Sequence, residues 1–170
     1  PTPLVFDGTL EEPFYRDVPS FGDFIQQEPH EGQPSTEKTE VWVFFDRDYL
    51  YVSAKLYDSE PDKRVSTEMR RDANTLYNND HFAVTFDTFY DRRNAFFFQT
   101  GPLGTLRDQT VVDDQPNQSW NTVWVVKSTQ SDRGWATEIA IPFKSLRYPS
   151  AGPQVWGFNA RRIVKWKNEY

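Results

Sequence analysis

The chain is 170 residues long, and 16% of it is aromatic. A net charge of −6 argues against a nucleic-acid backbone as partner, and the absence of cysteine removes disulfides, thiolate zinc sites and cysteine nucleophiles. No run of about 18 apolar residues is present, so no helix of the sequence can cross a bilayer. The length fits one domain, residues 1–170, with a core of its own.

In chain order, "TLEEPFYRDV" predicts one turn of helix with Thr9 as N-cap, Glu12 closing a capping box and Pro13 limiting its length. "SFGDFIQQ" reads as a short strand, and "EPHEGQPSTEKT" as a polar surface loop. "EVWVFFDRDYLYVSAKLYD" is the clearest hairpin, with Val41, Val43 and Phe45 on one face of its first arm and Leu50, Val52, Ala54 and Leu56 on one face of its return. "HFAVTFDTF" follows with Phe82, Val84 and Phe86 inward, and "NAFFFQT" pairs back after "YDRR". In that hairpin Asp80 precedes the strand, Asp87 lies near its end and Asp91 sits in the turn, so the acids punctuate the hairpin. "TLRDQTVVDD" gives a short strand, "TVWVVKSTQ" and "GWATEIAIPF" a second strong hairpin, "PFKSLRY" a single turn, and "VWGFNARRIVKW" the last strand. The pattern predicts an all-β antiparallel sandwich.

Several strands are apolar on both faces. Trp42 and Phe44 stand opposite Val41 and Val43, and Phe97 opposite Phe96 and Phe98. A sandwich buries only one face of each sheet. The second aromatic face therefore needs cover from loops, a partner or a stacking ligand.

No hydrolase elbow, phosphate loop, metalloprotease helix or dinucleotide fingerprint occurs, so no catalytic residue is assigned. His30 falls in the polar loop and His81 on the outward parity of its strand. "RDANTLYNND" concentrates hard oxygen ligands, and Asp72, Asn78 and Asp80 are the candidates for a bound calcium, with Asp113 and Asp114 nearby in sequence. The same residues are ordinary turn formers. Sugar binding needs aromatic platforms beside planar polar side chains. Tyr77, Trp120 and Trp166 are the platform candidates; Asn159, Arg161, Arg70, Arg71 and Glu138 could supply polar contacts. Trp135 and Trp156, at strand starts, read as core. Glu138 is also expected to pair with Arg161 or Arg162 across the fold.

"FDGTLEEPFY" resembles the opening of family 9 carbohydrate-binding modules, and "TEVWVFFDRDYLYVSAKLYDSEP" resembles their next hairpin. "RDANTLYNNDHFAVTFDTFYDRRNAFFFQTGPLG", "SWNTVW", "GWATEIAIPFKSLRY" and "WGFNARRIVKWKNE" are similar to a narrower bacterial subgroup. There such a module precedes an uncharacterised C-terminal region resembling an outer-membrane β-barrel. The likeness runs from Asp7 to Glu169. It implies a jelly-roll-like sandwich, non-catalytic glycan binding between two aromatic walls, structural calcium and a place in the bacterial cell envelope, periplasmic or at the outer membrane. Tyr77, or Trp42, would be one wall and Trp166 the other. The chain departs from the family in lacking an evident Trp pair and in its ending, "RRIVKWKNE". The alternative is a structural or protein-interaction domain beside the barrel that binds no sugar. An opening at Pro1 without Met and a strand-like ending suit the N-terminal part of a longer protein.

Overall fold

A computed structural model describes residues 5–170; Pro1 lies outside them. Among the described residues, the strands are β1 (Thr39–Phe45), β2 (Tyr49–Tyr57), β3 (His81–Asp87), β4 (Ala95–Thr100), β5 (Arg107–Val112), β6 (Gln115–Asn117), β7 (Val125–Ser131), β8 (Gly134–Pro142) and β9 (Gly157–Ile163). They build two antiparallel sheets, a four-stranded one in the order β1-β2-β8-β7 and a five-stranded one in the order β6-β5-β4-β3-β9. The only α-helix among those residues is the single turn α1 (Phe14–Asp17). The expected all-β sandwich is the observed fold.

Period-2 alternation places the core. Leu50, Val52, Ala54 and Leu56 of β2 face Phe82, Val84 and Phe86 of β3 and Phe96 and Phe98 of β4 across the two sheets, with Ile139, Ile141, Trp124 and Trp135 completing the layer. Trp156 packs against this cluster, half-buried. Of the expected inward trio on β1, only Val41 is buried; Val43 and Phe45 are 41% and 75% exposed at the end of an edge strand.

The punctuation of the β3–β4 hairpin is visible atom by atom. The Asp87 carboxylate accepts from the Asp91 and Arg92 amides at 3.1 and 2.6 Å. Asp91 Oδ1 then accepts from the Arg93 and Asn94 amides at 2.9 and 2.8 Å. The β5–β6 turn is made by Asp113 and Asp114, both at positive φ (49° and 63°), the backbone of a tight hairpin turn.

Four local expectations are corrected. "SFGDFIQQ" forms no strand and joins the sheet only through the bridge between Phe21 and Val41, with a further bridge from Ile25 to Pro34. Thr9 caps no helix. Its hydroxyl donates to Asp7 Oδ1 at 2.7 Å, Glu12 accepts from the Val5 amide, and α1 starts after Pro13. The last strand ends at Ile163, because a 3₁₀ turn at Lys165–Lys167 and left-handed Asn168 fold the chain back so that Glu169 bonds Val164.

The fourth correction concerns Glu138. It pairs with neither arginine, because it points out of the four-stranded sheet while Arg162 points inward from the other. Glu138 Oε2 accepts from the Asp7 and Gly8 amides at 2.9 and 2.7 Å, and Oε1 from the Tyr15 hydroxyl at 2.8 Å. Burial raises the Glu138 carboxyl above its ordinary pKa, and these hydrogen bonds oppose that rise. Arg162 instead donates to the Lys38 and Tyr57 carbonyls and to Thr39 Oγ1, and burial pulls it down to about 10.

Glu138 thus latches the N-terminal segment over the outer face of the four-stranded sheet. Leu10 and Tyr15 pack there on Trp42, with Phe14 and Phe44 beside them, and Trp42 Nε1 donates to the Val18 carbonyl at 2.9 Å. The aromatic face of that sheet is covered by the chain itself.

Candidate functional site

The outer face of the five-stranded sheet is different in character. Cross-strand register puts Arg161, Ala83, Gln99 and Arg107 in one row across β9, β3, β4 and β5. The next row is Asn159, Thr85, Phe97 and Gln109. Adjacent strands lie about 4.8 Å apart, so the two arginines start roughly 14 Å from each other. Small Ala83 lies between them and lets both long side chains lean to the middle. Their guanidinium carbons converge on two rings: Arg107 lies 4.7 Å from the Tyr77 centroid and 5.9 Å from that of Phe97, and Arg161 lies 6.0 Å from each.

Tyr77 reaches this face from a 3₁₀ turn at Asn74–Asn78, anchored by buried Leu76. Its hydroxyl accepts from Arg107 Nη1 at 3.0 Å, and its ring meets His81 edge-on with centroids 5.7 Å apart. Arg107 also donates to Gln99 Oε1 at 3.0 Å and Gln109 Oε1 at 3.3 Å. Three buried polar atoms on the face have no partner: Gln99 Nε2, His81 Nε2 and Arg161 Nε. His81 is fully buried, and its Nδ1 lies 3.0 Å from the Asn79 carbonyl, which assigns the proton to Nδ1 and leaves Nε2 as an acceptor. Burial pushes its pKa down to about 4, and the charges of Arg161 and Arg107 add to that shift.

A groove of about 600 Å³ opens over Ala83, Thr85, Phe97, Asn159 and Arg161 and continues along the β9 edge. Its far wall is the segment carrying Phe21, Phe24 and Ile25, closed at one end by Tyr170. Phe21 meets Phe158 edge-on at 5.5 Å. Of the acids along this groove, Glu37 is taken by Lys167 at 2.5 Å and by Ser59, Glu169 by Thr36, and Asp23 is exposed. Apolar rings beside a few convergent polar groups make a binding cleft.

The structure brings together Tyr77, Asn159 and Arg161 from the sequence candidates, on one sheet face. It sends the two tryptophans elsewhere. Trp120 packs on Phe96 and Phe98, rings on the opposite parity of β4 and so part of the core. Trp166 Nε1 donates to Asp58 Oδ1 at 3.3 Å, and its ring is flanked by Lys63 and Lys167, each 4.9 Å from the centroid. Trp42 lies under the N-terminal segment. Arg70 pairs with Glu68, and Arg71 with Asp108 at 2.6 Å.

The calcium candidates share no partner. Asp72 accepts from Arg71 Nε, Asn121 Nδ2 and the Asp108 amide. Buried Asp80 accepts from the Val65 amide, and Asn78 is exposed. Burial raises the Asp80 carboxyl above its usual pKa, and the charge of Asp58 adds to the rise. Among the described residues no group of three or more His, Asp or Glu is arranged to hold a metal ion. The expectation of calcium therefore rests on the resemblance.

Residues 6–165 match the family model described as carbohydrate family 9 binding domain-like. The chain belongs to this family. Among solved structures, this family 9 domain is similar to a family 9 carbohydrate-binding module from Caldicellulosiruptor kristjanssonii in complex with cellotriose, at TM-score 0.64 and 15% identity, covering 95% of this chain and 72% of that one. The module from the same organism in complex with glucose gives 0.64 and 15%, over 95% and 74%. A putative carbohydrate-binding protein from Bacteroides uniformis gives 0.69 at 8% identity, over 91% and 76%. At these identities the likeness is one of fold. A comparison with curated proteins found no match.

Proposed function

We propose that this family 9 domain is a non-catalytic glycan-binding module whose site is the groove over β3, β4 and β9. The observation that carries the reading is the groove itself, where the rings of Phe21, Phe97 and Phe158 lie beside exposed Asn159 and half-exposed Arg161. Rings cover the apolar face of a sugar, and polar side chains read its hydroxyls. Family membership supports it, as do the cellotriose and glucose complexes of the module from Caldicellulosiruptor kristjanssonii. The resemblance to the bacterial subgroup supports a place in the cell envelope, ahead of an outer-membrane barrel. Strands alternating in polarity, with aromatic girdles, beyond Tyr170 in the parent protein would bear that out.

The test is isothermal titration with glucose, cellotriose and an oligosaccharide panel. Saturable heat is expected from at least one sugar. Asn159→Ala, at an exposed groove position, should weaken it about tenfold, one hydrogen bond's worth, without lowering the melting temperature. No saturable heat from any sugar would sink the proposal.

A further inference from the structure

Arg107 and Arg161 place two positive charges beside the same two rings, and among the described residues neither makes an ion pair. Arg107 is 2% exposed and meets only neutral oxygens, those of Tyr77, Gln99 and Gln109. A desolvated charge without a counter-charge is costly, and two like charges side by side are more so. Stacking on Tyr77 and Phe97 orients the guanidinium groups but neutralises neither. Both charges also bear on fully buried His81, whose pKa is pushed down chiefly by burial.

We infer that the groove selects sugars that carry an acid group, a uronic carboxylate or a sulfate ester, bound by Arg161 with the charge of Arg107 behind it. The inference rests on the glycan-binding reading above. Arg161 is the contacting residue because it is half-exposed, lines the groove and has an unpartnered Nε. A guanidinium edge presents two parallel N–H donors, which match a carboxylate or sulfate better than an ammonium does. Phe97, Thr85 and Asn159 beside it would hold the sugar ring.

The experiment is titration at low salt with trigalacturonate and its methyl ester, with a sulfated galactose disaccharide and its unsulfated parent, and with cellotriose. At least one acidic probe should bind about tenfold or more tighter than its neutral counterpart, as one charge-assisted contact predicts. The preference should shrink as salt is added. Whichever acidic arm shows it identifies the source of the acid group. Arg161→Gln should abolish the preference by lowering affinity for the acidic probe well beyond any loss for its neutral counterpart, and Arg161→Lys should restore part of it. Equal binding of acidic and neutral probes, or equal loss of both in Arg161→Gln, overturns the inference. Saturable binding of cellotriose with no acid preference overturns it alone and leaves glycan binding standing. Silence from every probe overturns both. Arg161 makes no side-chain hydrogen bond among the described residues, so a melting curve matching the parent's is expected for its variants.

Discussion

His81 is held neutral. Its Nδ1 proton is satisfied by the Asn79 carbonyl, its Nε2 faces no donor, and burial pushes its pKa down to about 4. Above pH ~6.5 it is neutral folded or unfolded. Between there and about 4 the unfolded chain takes up a proton that the folded chain refuses, so stability falls as pH falls through that window. The full loss from this one group is about 3 kcal/mol, at about 1.4 kcal/mol per pKa unit. Urea denaturation at pH 7 and pH 5 should show the decline in the parent and a much flatter profile in His81→Gln; identical slopes in the two would refute it. At this scale the site was partly legible. Tyr77, Asn159 and Arg161 stand on the candidate face, as loop aromatics and last-strand polar residues suggest a surface. Arg107, Gln99 and Gln109 were missed, since only the register between β3, β4 and β5 sets them beside Tyr77. The one signal available was that Gln99 has the parity opposite to the core residues Phe96 and Phe98. Trp120 and Trp166 lie away from that face, and the sequence does not place them because a Trp indole serves equally as core filler and as platform.

Among the elements, the N-terminal segment depends on one carboxylate. Removing Glu138 leaves the Asp7 and Gly8 amides and the Tyr15 hydroxyl without their acceptor. Glu138→Ala should cost about 3 kcal/mol, and Glu138→Gln, which keeps an acceptor oxygen, distinctly less. Equilibrium denaturation gives the ordering, and indistinguishable Ala and Gln variants would show that Glu138 fixes nothing. Gly8 is part of the same latch. Its φ is +87°, and an added Cβ would lie 2.9 Å from the Lys127 carbonyl carbon. Gly8→Ala should therefore destabilise by about 1–3 kcal/mol, a strained left-handed backbone plus a backbone clash. Hairpins were the most legible elements, because alternation and turn residues agree along β1–β2, β3–β4 and β7–β8. The latch was not legible. "DGTLEE" carries a helix-start pattern, yet its Asp7–Gly8 turn is chosen by a glutamate 130 residues away. The short β6 was missed as well, because an Asp-Asp pair is a less common hairpin corner than Asn-Gly.

For the whole molecule, the open question in the sequence was what covers the second aromatic face of each sheet. Alternation cannot answer it, since cover comes from segments with no period of their own. One sheet is covered by its N-terminal segment and the other by Tyr77 with the two arginines, and the groove beside them is walled by residues 21–27. That wall is held by the last residues of the chain. The Gln27 amide donates to the Tyr170 carbonyl at 2.8 Å, the Tyr170 amide to the Glu28 carbonyl at 2.9 Å, and buried Glu169 accepts from the Thr36 amide and hydroxyl at 2.8 and 2.6 Å. Glu169→Ala removes the two bonds to Thr36, about 2 kcal/mol, which for a domain of this size lowers the melting temperature by roughly 4–8 °C. Phe98→Ala in the core should lower stability more, by about 3–5 kcal/mol. The two losses should differ in kind. Amide exchange in Glu169→Ala is expected to rise in residues 24–36 and 164–170 while β3 and β4 keep their protection, because local opening there does not require the sheets to part. Glycan affinity should fall with it, since the wall carrying Phe24 and Ile25 loses its anchor. In Phe98→Ala exchange should rise throughout both sheets. A uniform rise in Glu169→Ala too would mean that the wall and the sandwich open as one unit, and that the last residues stabilise the fold without shaping the groove.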